Sequence, residues 1–221
     1  AGYDAARLAL KLVDPQASWT TLVGEGVAFS KGAQLIRIEG FARSVLIAER
    51  TMLNFIGPLS GVATLTSKFV EQVKGTNAKI VCTRKTTPGF RALEKRAVRL
   101  GGGVNHRLGL DDAILIKDNH IAAAGGVAAA MKRARASVGH LRSIEIEVEN
   151  LDQLREALKH SPDAILLDNM STAMLKEAVG IVGGKAKTEA SGGVRLDTVK
   201  AIAETGVDYI SAGALTHSAV N

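Results

Sequence analysis

The sequence predicts an α/β protein whose main body is a parallel sheet alternating with helices. Three observations carry this expectation. From residue 79 onward, seven short apolar segments recur with helical stretches between most of them, the alternation expected of a parallel sheet. Polar residues gather at the C-terminal ends of those segments, where α/β barrels place their chemistry. The chain has 221 residues, 46% hydrophobic and 23% charged, which suits one well-buried core with a small appendage and argues against disorder. The pattern leaves a barrel and a doubly wound sheet both open. A dinucleotide-binding fold is disfavoured, because no G-x-G-x-x-G follows a first strand.

The elements follow in order. Asp4 to Val13 reads as a short helix, with Leu8, Ala9 and Leu12 at helical spacing. Strand-like pieces at Thr20–Val23 and Leu35–Glu39, punctuated by Gly24, Gly26, Gly32 and Gly40, suggest part of a small sheet domain. A helical stretch from Ala42 to about Val73 is expected to break at Gly57-Pro58, with the proline opening a second helix. The seven segments are Lys79–Thr83, Val104–Arg107, Ala113–Lys117, Ser143–Glu149, Ala164–Leu167, Lys187–Ala190 and Asp208–Ala212. Helices are expected at Phe90–Leu100, Val127–Ser137, Asp152–His160, Thr172–Val182 and Leu196–Glu204. Asn150 and Ser171 are placed as N-caps, with Gln153 three residues beyond Asn150, and Gly206 closes the last helix.

Composition narrows the partners. No apolar run approaches the ~20 residues of a membrane span, and Ala1-Gly2-Tyr3-Asp4 lacks the basic-then-apolar order of a secretory signal. A single cysteine, Cys82, allows no internal disulfide or cysteine-built metal cluster, so a cytoplasmic setting is expected. The net charge is +6. The segment Arg84–Arg107 holds seven basic residues against one acid, Glu94, and so carries a surplus equal to that of the whole chain. Only one of the eight aromatic residues, Phe90, lies there, which disfavours a base-stacking nucleic-acid surface and favours a small polyanion. On the helix within this segment, Arg91, Lys95, Arg96 and Arg99 read as a solvated face.

Strand ends carry the chemistry. Arg84-Lys85 and His106-Arg107 close the first two segments, and a pair of arginines can grip carboxylates bidentately. Lys117-Asp118-Asn119-His120 closes the third and Asp168-Asn169 the fifth. In the fourth, Glu145, Glu147 and Glu149 alternate with Ile144, Ile146 and Val148, so period-two geometry puts the carboxylates on one face. If that face is interior, the acids need partners, and Lys85 and Lys117 are available; the competing reading is an edge strand with a solvated acidic face. Ser191-Gly192-Gly193 and Gly213 suit a phosphate cradle, since glycine lets backbone amides approach an anion and a following helix adds its N-terminal polarity. Alone they would be ordinary turn glycines. His140 and His160 read as structural or surface residues, Cys82 as a buried inert thiol, and no histidine pair has zinc-site spacing.

These pieces lie in longer motifs: Glu49-Arg50-Thr51-Met52-Leu53-Asn54, Thr83–Gly89, Gly101–Leu110, Ile116-Lys117-Asp118-Asn119-His120, Glu145–Glu149, Leu167-Asp168-Asn169, Glu189–Gly193 and Gly213–Ser218. Their order and content resemble the quinolinate phosphoribosyltransferases, a type II phosphoribosyltransferase family. The resemblance implies a seven-stranded open α/β barrel over residues 56–221 and a smaller N-terminal α/β sandwich domain, partial here, over residues 1–55. It implies phosphoribosyl transfer from 5-phosphoribosyl-1-pyrophosphate to quinolinate with decarboxylation, giving nicotinate mononucleotide, pyrophosphate and carbon dioxide for NAD biosynthesis. Mg²⁺ is the implied cofactor and a homodimer or larger homo-oligomer the implied assembly, with Arg50 reaching the neighbouring subunit's site. Arg84, His106 and Arg107 match residues around the quinolinate carboxylates. Lys85, Lys117, Glu147 and Asp168 match those around phosphoribosyl pyrophosphate and its metal, with Lys117, Glu147 and Asp168 as the catalytic set. Ser191, Gly192, Gly193, Gly213 and His217 match the 5′-phosphate site. Two other readings compete: the pyrophosphorylase-like protein of molybdate-transport operons, and a non-enzymatic barrel binding phosphometabolites or nucleic acid. The intact Lys117 motif disfavours the former, and interior carboxylates disfavour the latter.

Overall fold

A computed structural model describes residues 1–220. Helix α1 (Tyr3–Val13), the antiparallel pair β1 (Ser18–Thr21) and β2 (Ile36–Glu39), and the first half of α2 (Ala42–Gln72) enclose a small core of Ala6, Leu10, Ala17, Ala48 and Met52. The second half of α2 belongs to the main core, through Leu59, Val62 and Phe69.

The expected break at Gly57-Pro58 does not occur: α2 runs through Pro58. A proline inside a helix forfeits one backbone hydrogen bond and costs about 3 kcal/mol. Met52, Leu59, Val62 and Phe69 are each at most 4% exposed, and four such burials at about 1.5–3 kcal/mol each outweigh that cost.

The main body is a parallel sheet of β3 (Lys79–Val81), β4 (Ile114–Ile116), β5 (Ile144–Val148), β6 (Ala164–Asp168), β7 (Lys187–Ser191) and β8 (Tyr209–Ser211), in the order β3-β8-β7-β6-β5-β4. The first of these strands pairs with the last, Lys79 against Tyr209, so the sheet curls into a barrel and is not doubly wound. The expected strand Val104–Arg107 is reduced to a single parallel bridge, Val104 to Val81. That bridge occupies the seventh position, beside β3, and no ladder joins it to β4 among the described residues. The barrel is therefore open along a seam between Val104 and β4.

Helices α3 (Arg91–Leu100), α5 (Val127–Ser137), α6 (Leu151–Leu158), α7 (Thr172–Val182) and α8 (Val199–Ala203) separate the strands. The predicted caps form: Asn150 Oδ1 accepts from Gln153 N at 2.9 Å and Ser171 Oγ from Met174 N at 3.3 Å. Helix α8 is shorter than expected, because Arg195–Thr198 form a turn in which Thr198 Oγ1 accepts from Arg195 N. Two short helices, α4 (Asp118–Ala124) and α9 (Ala214–His217), stand at strand ends where only polar motifs were legible. No helix among the described residues is long and apolar enough to cross a membrane.

Candidate active site

The C-terminal ends of the strands open onto a cavity of about 830 Å³. Its walls hold Arg84 and Lys85 after β3, His106 and Arg107 after the Val104 bridge, Lys117 after β4, Glu147 on β5, Asp168 on β6, Ser191, Gly192 and Gly193 after β7, and Gly213 and His217 after β8. All the residues predicted for the site thus come together except one. Arg50 lies on an exposed part of α2 and does not line this cavity.

One wall is cationic. The Nε atoms of Arg84 and Arg107 are buried and have no hydrogen-bond partner within the protein. Burial, and then the neighbouring Arg84 cation, push the Arg107 pKa below its ordinary value. An unpaired buried donor is costly, and guanidinium donors of this kind suit a carboxylate. The Nη1 of Arg107 is already committed: it donates to the Ala113 carbonyl at 3.2 Å, across the open seam.

The opposite wall is acidic, and the interior reading of the glutamate series holds for two of its three members. Ile144, Ile146 and Val148 are fully buried on the helix side, while the Glu145 and Glu147 side chains, 12% and 11% exposed, face the barrel interior. Glu149 lies beyond β5 and is exposed. Lys117 Nζ sits 2.5 Å from Glu147 Oε2, as the spacing suggested. The expected Lys85 partnership does not form. Glu145 pairs instead with His106, whose Nε2 lies 2.9 Å from Glu145 Oε2. Lys117 is fixed from behind, because its backbone N–H donates to His120 Nδ1 at 2.9 Å and it caps α4.

The segment predicted as a phosphate cradle is loop backbone. Gly192 has φ +94° and Gly193 φ +59°, conformations that favour glycine. A Cβ on Gly192 would stand 2.1 Å from Asn169 Oδ1. Asn169 Nδ2 in turn donates to Asp168 Oδ2 at 2.6 Å, and Asn169 N donates to the Ser191 carbonyl. No helix follows the Gly192-Gly193 loop directly, since α8 starts only at Val199, whereas the short α9 begins immediately after Gly213. Thr216 Oγ1 donates to the Lys85 carbonyl at 2.7 Å and ties the Gly213–His217 segment to the cationic wall.

On the cavity's inner wall lies a polar network whose pairing the sequence reading did not foresee. Glu189 on β7 is 5% exposed, with its Oε1 unpartnered and 3.8 Å from His106 Nε2. Burial first, then the Glu145 carboxylate, push the Glu189 carboxyl up to about 7. One donor atom from each of His106, Glu145 and Glu189 lies within 4.8 Å of the others. Burial alone would lower the His106 pKa, but the two carboxylates outweigh it and raise it. Lys95, expected on a solvated face, is 3% exposed, and its Nζ donates to the His106 carbonyl at 2.8 Å and contacts Cys82 Sγ at 3.1 Å. The solvated-face reading also fails for Arg91, which is partly buried and bonded to Thr86, Arg84 and Leu108. Arg96 pairs with Asp4 and Glu25; Arg99 is exposed. Glu189 was legible as the start of the Glu189–Gly193 motif, but with no role attached to it.

Comparisons with known proteins agree along the whole chain. A family model described as "Quinolinate phosphoribosyl transferase, C-terminal domain" matches residues 62–221, and its N-terminal counterpart matches residues 1–60. The carboxylating nicotinate-nucleotide pyrophosphorylase of Mycobacterium leprae is 48% identical over 223 residues, covering 99% of this chain and 78% of that one. A probable enzyme of the same name from Bacillus subtilis is 47% identical over 194 residues, covering 88% of this chain and 67% of the relative. The solved nicotinate-nucleotide pyrophosphorylase of Francisella tularensis superposes with a TM-score of 0.96 at 43% identity, covering 99% of this chain and 78% of that one.

Proposed function

We propose a residue-level account of this cavity from one premise: the chain belongs to the quinolinate phosphoribosyl transferase family. It is a decarboxylating phosphoribosyltransferase of NAD biosynthesis. Its relatives carry the carboxylating pyrophosphorylase name at 48% and 47% identity, which favours this activity over the molybdate-operon and non-enzymatic alternatives.

The observation that carries the residue assignment is the pair of buried, unpartnered guanidinium donors on Arg84 and Arg107. Quinolinate is a planar dianion with adjacent carboxylates, and two neighbouring guanidinium groups match it by charge and geometry. Lys85, Lys117, Glu147 and Asp168 hold the phosphoribosyl donor, with the 5′-phosphate in the cradle of Ser191, Gly192, Gly193, Gly213 and His217. Glu147 and Asp168 serve the ribosyl carbon electrostatically as it gains positive charge. Lys117, already 2.5 Å from Glu147, balances that carboxylate until substrate arrives. Holding two polyanions in one orientation supplies much of the rate.

Glu147 and Asp168 also fit Mg²⁺, because both present carboxylate oxygens on the cavity wall and Mg²⁺ takes oxygen ligands from one or two carboxylates together with substrate phosphates. The ion, when bound, neutralises charge on the pyrophosphate leaving group.

Arg50 completes the site of a second copy of the chain in a homodimer or larger assembly. Two features support this. Arg50 is remote from its own cavity, and the helix that carries it exposes Leu46, Ile47 and Leu53 at 69%, 57% and 47%, an apolar face suited to burial. The small domain and barrel hand over within α2 near residue 55, supported by Met52 packing in one core and Leu59 in the other. A cytoplasmic setting is supported by the single unpaired cysteine.

The test is product analysis after incubation with quinolinate, phosphoribosyl pyrophosphate and Mg²⁺. Nicotinate mononucleotide, pyrophosphate and carbon dioxide are expected. Turnover of nicotinate or nicotinamide with none of quinolinate overturns the reading.

A further inference from the structure

We infer that His106, though it lines the cavity, is a positioning residue: it sets the direction of Arg107 and makes no polar contact of its own with the pyridine dicarboxylate. The inference rests on the site reading above, in which Arg84 and Arg107 hold quinolinate.

The starting point is the open seam. Val104 is anchored by backbone hydrogen bonds, donating to the Ile80 carbonyl at 2.8 Å and accepting from Cys82 N at 3.2 Å. Beyond it, residues 105–112 belong to no strand. The segment that carries Arg107 therefore has no sheet ladder to fix it, and side-chain bonds must do so.

They converge on His106. Lys95 Nζ, itself buried, donates to the His106 carbonyl at 2.8 Å. The ring reaches across the barrel to Glu145 on β5 at 2.9 Å, with Glu189 on β7 at 3.8 Å behind it. The backbone N–H of Arg107 donates to His106 Nδ1 at 2.8 Å. This last bond fixes the tautomer, because an atom that accepts a hydrogen bond carries no proton. The ring proton is then on Nε2 and points at Glu145. Both ring nitrogens are engaged within the protein, and the imidazole has no third polar atom to offer a substrate.

Arg107 is tied to this arrangement by its own amide. Turning the ring breaks the bond to the Arg107 N–H and releases the residue whose Nη1 spans the seam to the Ala113 carbonyl. The Arg107 donors that the protein leaves unused, its buried Nε among them, remain for an anion. The network thus plays the part of the missing strand ladder: it ties the Arg107 segment to β5, β7 and α3.

A double-mutant cycle separates positioning from contact. The KM for quinolinate is measured at saturating phosphoribosyl pyrophosphate for His106→Ala, Arg107→Ala and the double variant. Each single change is expected to raise it roughly ten-fold or more. The double variant is expected to match Arg107→Ala within about three-fold, because His106 acts only through Arg107. Losses that multiply overturn the inference and leave the site reading standing. An Arg107→Ala enzyme with unchanged quinolinate KM overturns both. Rescue is a second readout: Glu145→Gln, which keeps an acceptor for Nε2–H, retains the quinolinate KM, and Glu145→Ala does not. Should His106→Ala fail to fold, ¹⁵N spectra of the unaltered protein decide, with the His106 ring assigned by its absence in His106→Gln. Its Nδ1 signal stays of the unprotonated, acceptor type with and without quinolinate; a ring doubly protonated in the quinolinate complex overturns the inference.

Discussion

Replacing Glu189 by glutamine tests the electrostatics of the cavity's inner wall most directly. Glu189 sits in mid-strand, its Cα paired with Leu166 on one side and Tyr209 on the other, and its Oε1 has no partner. Burial, with the Glu145 charge beside it, lifts its pKa from 4.5 to about 7. The folded protein then keeps a proton that the unfolded chain has already released, so stability falls as pH rises between these values and levels off above the folded pKa. At about 1.4 kcal/mol per pKa unit the window is worth at most about 3 kcal/mol. Glutamine has nearly the same shape and no titration. Urea unfolding of both proteins from pH 5 to pH 8 should therefore show Glu189→Gln gaining stability on the parent as pH rises, by up to about 3 kcal/mol, with no further gain above the window. A difference that stays constant over that range refutes a protonated Glu189. A difference of the opposite sign points to a Glu189 carboxylate stabilised by a cationic His106.

Three further outcomes are expected. Arg50→Ala and Lys117→Ala are each nearly inactive alone, but mixed subunits recover activity at about a quarter of the sites, because half of randomly paired dimers carry one intact site; no activity above either parent, once exchange is demonstrated, refutes the shared site. Gly192→Ala forces a Cβ to 2.1 Å from Asn169 Oδ1 at φ +94°, so it should lower stability by at least about 1–2 kcal/mol and raise the KM for phosphoribosyl pyrophosphate; an unchanged melting temperature and KM refute the tight cradle. Chelation by EDTA should abolish turnover and Mg²⁺ should restore it, while the melting temperature of the substrate-free protein stays fixed, since Glu147 is already paired with Lys117; turnover that persists in chelator refutes the metal assignment.

What the sequence revealed and what it hid divide along one physical line. Glu145 and Glu147 were legible because strand alternation is local: once Ile144, Ile146 and Val148 face helices, the acids between them face the barrel. The caps at Asn150 and Ser171 were legible for the same reason, since donor and acceptor lie three residues apart. The family resemblance pointed to the barrel, but the element pattern alone could not choose it over a doubly wound sheet, because that choice rests on Lys79 meeting Tyr209 across most of the domain. The loss of the strand at Val104–Arg107 belongs with it, since a strand without a neighbour cannot be recognised from its own residues. Lys95 makes the point at the scale of one side chain. With Arg91 and Arg99 it repeats every four residues, and by helical periodicity that stripe reads as solvated. Its burial depends on acceptors from elsewhere, the His106 carbonyl and the Cys82 sulfur, brought to it by the barrel. A buried lysine is tolerable only where such acceptors converge, so its position can be known only after the fold is. The same holds for Glu189, whose pKa is raised by burial in the folded barrel and then by Glu145 two strands away. The residues that line the cavity were readable from their motifs, whereas the contacts that hold them in place exist only in the folded barrel.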